Sequence, residues 1–290
     1  MPYKLIVDSG CDTTADIRRD LNLSIAPLQI TLSTGTEYTD TLDLDISALL
    51  DDMQQSGGMK TNCPSITDFA KFMYNSDECF VVTIASFLSG SYNSALAARD
   101  MVLEEFPEKK IHVFDSLNAS AGELRLALYI HQLIEEGAGF EEIIEKGELF
   151  AEDIATVLVL EDLGNLIKNG RISRMAERVA SILNIFPVLY KRNFKEIRMA
   201  AKIRGLKNAL NRMVEYIREW TLQKEAGSLT ITLSHCEAPE RAMAIKRRIL
   251  ETCPAVGEIV VAPTSGLSAV YANRGGIVVA FEADPQQKKN

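Results

Sequence analysis

A chain of 290 residues with 47% hydrophobic and 24% charged residues has the make-up of a globular protein, either one large domain or two of about 130 to 150 residues. No apolar run approaches the about 18 residues that a membrane span needs, and the net charge of −9 is ordinary for a folded protein. Cys11, Cys63, Cys79, Cys236 and Cys253 are odd in number and form no CxxC pair, so reduced thiols are expected and neither a disulfide scaffold nor a zinc site.

The opening MPYKLIVDSG enters a strand pattern directly, without the regions of a signal peptide, and a cytoplasmic location is expected. The strand Lys4 to Val7 ends at the polar turn Asp8 to Thr14, which caps a helix beginning near Ala15. A strand over Ile25 to Leu32 leads to an amphipathic helix from Ile46 to Met53, closed by Gly57-Gly58. The loop Thr61 to Ser65 follows, with Pro64 holding Cys63 extended and Ser65 placed to cap a helix through Phe69 and Phe72. Strand Phe80 to Ala85, helix Ser91 to Leu103, strand Ile111 to Phe114, helix Ala121 to Ile134 and helix Phe140 to Glu152 continue the alternation. Strands alternating with helices predict a parallel sheet covered on both faces, a three-layer α/β/α domain over residues 1–150.

From Thr156 to Leu160 a second set begins. Helices are expected near 161–168, 173–183, 205–222 and 239–251, and strands at Phe186 to Tyr190, Ile197 to Ala201, Leu229 to Leu233, Ile259 to Ala262 and Ile277 to Phe281. The order predicts an α/β domain with a mixed sheet over residues 151–290, ending in a polar tail from Asp284. The halves also differ in charge, −15 for residues 1–150 and +6 for 151–290. Within 163–214 twelve basic residues, Arg171 among them, face only Glu177 and Glu196. Such a field attracts anionic ligands or an acidic protein surface, while the scarcity of aromatic residues there argues against nucleic acid. A set of solvated helix faces is the plain alternative.

In a parallel sheet, ligands sit beyond the carboxyl ends of the strands. Three polar turns gather there: Asp8 to Thr14, Ser86 to Ser94, and Asp115-Ser116. Gly90, Ser91 and Ser94 open a helix whose first N–H groups lack intrahelical partners, a place for phosphate or carboxylate, although a plain serine N-cap explains the same residues. A stand-alone phosphoryl-transfer or hydrolytic enzyme would use the Asp8 and Ser91 turns, with Ser91 or Ser94 as nucleophile and His235, His112 or His131 as base. No GxSxG elbow and no GxxxxGK(S/T) loop supports it. Asp8, Asp12 and Asp115 could face a Mg²⁺ ion, but N-capping accounts for Asp12, and neither metal nor cofactor is expected.

Together the DSGCD turn at 8–12, TNCPS at 61–65, SGSYNSA at 89–95, Asp115-Ser116 and NGRIS at 169–173 resemble the DegV family of bacterial proteins. Phe186 to Leu189 before a basic hairpin and His235 after a strand are similar too. The resemblance implies a two-domain α/β protein that binds one long-chain fatty acid, with the carboxylate at the domain junction and the tail in an apolar tunnel. It implies no catalysis by the chain alone. Such proteins are the acyl-carrying subunit of a fatty acid kinase, whose separate catalytic subunit phosphorylates the bound acid. Carried onto matching positions, Thr61 and Ser94 would hold the carboxylate and Arg171 would help dock the kinase subunit. Thr264 to Ser268 stands where the family often has His-Thr-Gly-Pro-Gly, so a hydroxyl replaces an imidazole, and Asn169 stands where Gly is common. Leu158, Leu160, Leu166, Ile182, Leu183, Ile185 and Phe186 read equally well as tunnel or core.

Overall fold

The computed structural model describes residues 3–172, 184–192 and 195–284. The chain divides into two compact units, residues 1–152 with 265–267, and residues 153–264 with 268–290. No described helix is long and apolar enough to cross a membrane.

The first unit is built on a four-stranded parallel sheet in the order β2-β1-β6-β7, formed by Leu23–Ala26, Tyr3–Asp8, Glu78–Thr83 and Lys110–Asp115. Side chains alternate across it. Ile6, Val81 and Val113 meet Phe69, Ala70 and Met73 of α3 (Ile66–Tyr74) and Ala95, Ala98 and Val102 of α4 (Ser91–Glu105). On the opposite face Phe80 stacks on Phe140 of α6 (Phe140–Asp153), with centroids 4.8 Å apart, and α5 (Ala121–Glu135) packs against β1 and β6. The result is the expected three-layer arrangement.

Two short helices precede α3: α1 (Ala15–Asp20) and α2 (Ile46–Ser56), which ends on left-handed Gly57 at φ 74°. The single strand expected over Ile25 to Leu32 is two strands. Pro27, which has no N–H to donate, separates β2 from β3 (Gln29–Leu32), and the chain crosses to a small antiparallel sheet ordered β4-β3-β5. Its other strands are β4 (Glu37–Thr39) and β5 (Met59–Asn62). Thr61 and Asn62 therefore lie on a strand, and the loop begins at Cys63.

The second unit holds a six-stranded mixed sheet, β10-β9-β8-β13-β11-β12, from Arg198–Arg204, Ile185–Lys191, Ile154–Val159, Ile277–Glu282, Leu229–His235 and Val256–Pro263. Its one parallel pair is β11 with β12. Helix α7 (Gly164–Lys168) follows β8. Helices α8 (Leu206–Trp220) and α9 (Pro239–Thr252) bury Met213, Ile217, Ile245 and Ile249 against Val157, Val279 and Phe281. Trp220 gathers Tyr190, Tyr216 and Phe281 around it, with the Arg192 guanidinium 4.9 Å from its ring. The helix expected over 173–183, with Ile182 and Leu183, and the tail beyond Asp284 lie outside the described residues. A short helix missed in the sequence, α10 (Gly266–Ala272), precedes β13.

Gly147 fixes how closely α6 approaches the sheet. A Cβ there would lie 2.6 Å from the Phe114 ring, which is fully buried. Gly147→Ala is expected to cost about 1–3 kcal/mol by overpacking. Phe114→Leu in the same chain should recover part of it, and equal melting midpoints for wild type and Gly147→Ala would contradict this packing.

Candidate functional site

In the first unit the loops leaving β1, β6 and β7 are tied together by buried polar groups. Asp8, the last residue of β1, is wholly buried. Its Oδ1 accepts the Gly10 N–H at 2.9 Å and its Oδ2 accepts the Ile84 N–H at 2.9 Å. Burial pushes its carboxyl up to about 6, against the pull of those two N–H groups and the Ser91 hydroxyl. A Cβ on Gly10 would stand 2.3 Å from the Ile84 side chain, so a larger residue there would have to displace Ile84 from this turn.

Asp115, at the end of β7, accepts the N–H groups of Ser86 (3.1 Å) and Leu117 (3.0 Å). The Ala85 N–H reaches the Asn118 carbonyl at 2.7 Å and the Ser120 N–H reaches that of Gly10 at 3.0 Å. The N-cap of α1 is Thr14, whose hydroxyl accepts the Ile17 N–H at 3.1 Å. This corrects the N-cap role expected for Asp12. Asp12 instead accepts the Ser265 N–H at 2.9 Å and the Ser120 hydroxyl.

Asp40, which no local sequence pattern marks, has a similar task. Its two oxygens accept the Gly266 and Leu267 N–H groups at 2.7 and 2.9 Å, and burial raises its carboxyl to about 6 against these bonds and one from Ser9. Asp8, Asp12 and Asp40 thus bond to main-chain N–H groups and hydroxyls. Among the described residues no group of three or more His, Cys, Asp and Glu is arranged to hold a metal ion.

The α4 turn has a different character. Its N-cap is Gly90, with no side-chain cap. The Ser89 hydroxyl accepts the Ser91 N–H at 3.2 Å and lies 3.0 Å from the Ser91 hydroxyl, and Ser91 is fully buried. Ser94 is half-buried one turn on, its Oγ 3.6 Å from Cys63 Sγ, and a Cβ on Gly90 would come within 3.0 Å of the same sulfur. The chain leaving β5 therefore lies against the first turn of α4. This brings Ser94 to the segment that carries half-buried Thr61, two residues before Cys63. Ser65 caps α3 as expected, in a reciprocal pair with Asp68. Cys63 is the one thiol not fully buried.

Arg171 belongs to the second unit and is half-buried. Its N–H bonds the Leu166 carbonyl at 2.8 Å and its guanidinium donates to the Asn169 carbonyl. The left-handed residue of this turn is Gly170 (φ 69°); Asn169, at φ −92°, is an ordinary C-cap, so its tolerance of left-handed geometry is not used. Also in this unit, the buried Thr264 hydroxyl has no hydrogen-bond partner among the described residues. His235 accepts the Ala238 N–H through Nδ1, and burial lowers its pKa. His112 pairs with Glu148 at 2.8 Å. Leu158, Leu160 and Leu166 are buried, while Ile185 and Phe186 are partly so.

A family model described as "Uncharacterised protein, DegV family" matches residues 2–284. A DegV domain-containing protein of Streptococcus pyogenes serotype M18 is 34% identical over 286 residues, 97% of this chain and 100% of the relative. Among solved structures, a DegV family protein from Ruminococcus gnavus described with vaccenic acid superposes with a TM-score of 0.88 at 36% identity, covering 97% of this chain and 99% of that one. The Streptococcus pneumoniae fatty acid kinase B3 protein loaded with linoleic acid gives 0.87 at 32% identity, with 98% and 100% covered. The two-unit architecture, the loops at the strand ends and these similarities along nearly the whole sequence agree: the chain belongs to the DegV family.

Proposed function

We propose that this protein binds a long-chain fatty acid and presents its carboxylate to a separate fatty acid kinase subunit, which forms the acyl phosphate. The observation that carries the reading is the first turn of α4, a helix start without a side-chain cap, with Ser94 beside the Thr61–Cys63 segment. Helix-start N–H groups and neutral hydroxyls suit a carboxylate, and Thr61 and Ser94 are the residues assigned to it. The head group then lies within residues 1–150.

The acyl chain supplies the affinity. About fifteen methylenes at about 0.8 kcal/mol each yield roughly 12 kcal/mol before the cost of association is subtracted. Linoleic acid in the pneumococcal fatty acid kinase protein supports both the ligand class and the kinase partnership. A stand-alone hydrolase built on Asp8 and Ser91 fits less well. Ser91 is shut from solvent, and both Asp8 oxygens accept main-chain N–H groups, so this pair offers neither an accessible nucleophile nor a free base. Arg171, in its turn on the second unit, is assigned to docking the kinase subunit.

Denaturing mass spectrometry of the purified protein should release a long-chain fatty acid. A lipid-free protein that by itself turns over an ester or a phosphate would overturn the carrier reading. Removing one hydroxyl from a charged hydrogen bond costs about 1.5–3 kcal/mol, so Ser94→Ala and Thr61→Ala should each weaken fatty acid retention by at least about tenfold with an unchanged melting midpoint. Retention equal to wild type in both would remove these residues from the site. Arg171→Ala is expected to keep the lipid but to slow phosphorylation by the kinase subunit, read from acyl phosphate formation at varied subunit concentration, and unaltered kinetics would refute the docking role.

A further inference from the structure

Four carboxyl groups are buried in the first unit, and their hydrogen-bond donors are unequally shared. Asp8 has Gly10 N–H and Ile84 N–H with the Ser91 hydroxyl, Asp12 has Ser265 N–H and the Ser120 hydroxyl, and Asp40 has Gly266 N–H and Leu267 N–H with the Ser9 hydroxyl. Glu123, in the first turn of α5, is as fully buried as Asp8 and Asp12, yet among the described residues neither of its oxygens meets a donor at good hydrogen-bonding geometry, with the Asp8 main chain the donor that bears on it. Asp8 of β1 and Asp12 of the following turn face it, and the Cys11 thiol lies beside it. Asp40, from the segment before α2, bears on Asp8, and Arg18 of α1 on Cys11. Arg125, two residues along α5, has its guanidinium 4.5 Å from the Phe150 ring.

A carboxylate in that position would be an ion with little beyond the Asp8 main chain to stabilise it against two neighbouring carboxylates, among the costliest arrangements a protein interior offers. The dipole at the start of α5 favours the ion, but its effect is a fraction of the desolvation and like-charge penalties. The neutral acid changes the balance, because its O–H is a donor and Asp8 is the acceptor beside it. We infer that Glu123 is held as a neutral carboxylic acid whose proton is donated to Asp8, making it the positioning residue behind the α4 turn. Burial and the two neighbouring acids raise its affinity for a proton in the same direction, with the Asp8 main chain offsetting only part of it. The contacts run from Glu123 to Asp8, from Asp8 to Ser91, and from Ser91 to Ser89, so a proton on α5 fixes hydroxyls at the start of α4.

The state of Glu123 is tested by the infrared difference spectrum of wild type minus Glu123→Gln at pH 7.5. A protonated carboxylic acid C=O band in wild type, shifted in D₂O and lost in the variant, is expected. Its absence would mean that Glu123 is ionised and would overturn the inference. The effect on loading rests on the fatty acid reading and is measured separately with oleate. Glu123→Gln, whose amide still donates to Asp8, should keep the retention that Glu123→Leu, similar in size but without a donor, loses by about tenfold. Equal retention in the two variants, or loss in Glu123→Gln, would overturn the positioning role. Should Glu123→Leu not fold, the infrared band and the Glu123→Gln retention decide. If wild type itself takes up no oleate while the band is present, the lipid reading fails and the protonated Glu123 stands.

Discussion

The two hydrogen bonds that Asp8 accepts, from Gly10 and from Ile84, hold together the loops at the carboxyl ends of the first unit's strands. They join the ends of β1 and β6, neighbouring strands whose own pairing stops one residue short of Asp8. A backbone leaving a sheet edge would otherwise take its donors to water. Here the loop after β6 is drawn over the end of β1, and α4 begins from a fixed place. Gly10 is part of the same constraint, since its missing Cβ is the space that the Ile84 side chain fills.

This arrangement has an electrostatic cost. Asp8 and Asp40 titrate near 6, above the unfolded carboxyl value of 3.8, so the folded chain binds their protons more tightly than the unfolded one. At neutral pH each ionised group therefore opposes folding by roughly 3 kcal/mol, a penalty relieved as the pH falls through 6 toward 4. What the fold gains is loop order, because a carboxylate organises several donors at once where a neutral side chain organises one or two. The proposed carboxylate ligand would not be at odds with so acidic a unit. Exposed charges are screened over about 8 Å at physiological ionic strength, whereas helix-start dipoles and hydroxyls act at contact.

The parts legible in the sequence were those set by local rules. Period-2 and period-3.6 apolar patterns placed the parallel strands and their covering helices, and Ser65 and Gly57 marked a helix start and a helix end. The small antiparallel sheet was not legible, because β4 and β5 are short, largely polar strands and Pro27 divides what reads as one apolar run. The site divides in the same way. The hydroxyl-rich turn at 89–94 stands out by composition, but Asp40 meets residues 266 and 267 across a separation of more than two hundred positions, which no local pattern encodes. Glu123 did leave a trace. It falls on the buried side of α5 between Ala121, Leu124 and Ala127, where an acid has no place unless something inside requires it.

Among the described residues, the cations of the basic stretch between 163 and 214 separate into several populations. Lys191 and Arg192 are buried, bonding the carbonyls of Ile154 and Asp284. Arg212 pairs with Glu215 and Glu219, and Arg198 with Glu196. Lys202 and Arg204 are exposed on β10, the last strand of its sheet, where charged side chains have a reason unconnected with any partner: they deter pairing with a stray strand. These cations are therefore weak evidence for docking, however strongly the sequence displays them. Arg171 differs in kind. It lies on no sheet edge, and its guanidinium is steadied against the Asn169 carbonyl by a turn that left-handed Gly170 makes possible. An arginine held in advance loses less entropy when it meets an acidic group, and that is the reason to propose Arg171, ahead of its more numerous neighbours, as the residue that would meet a partner.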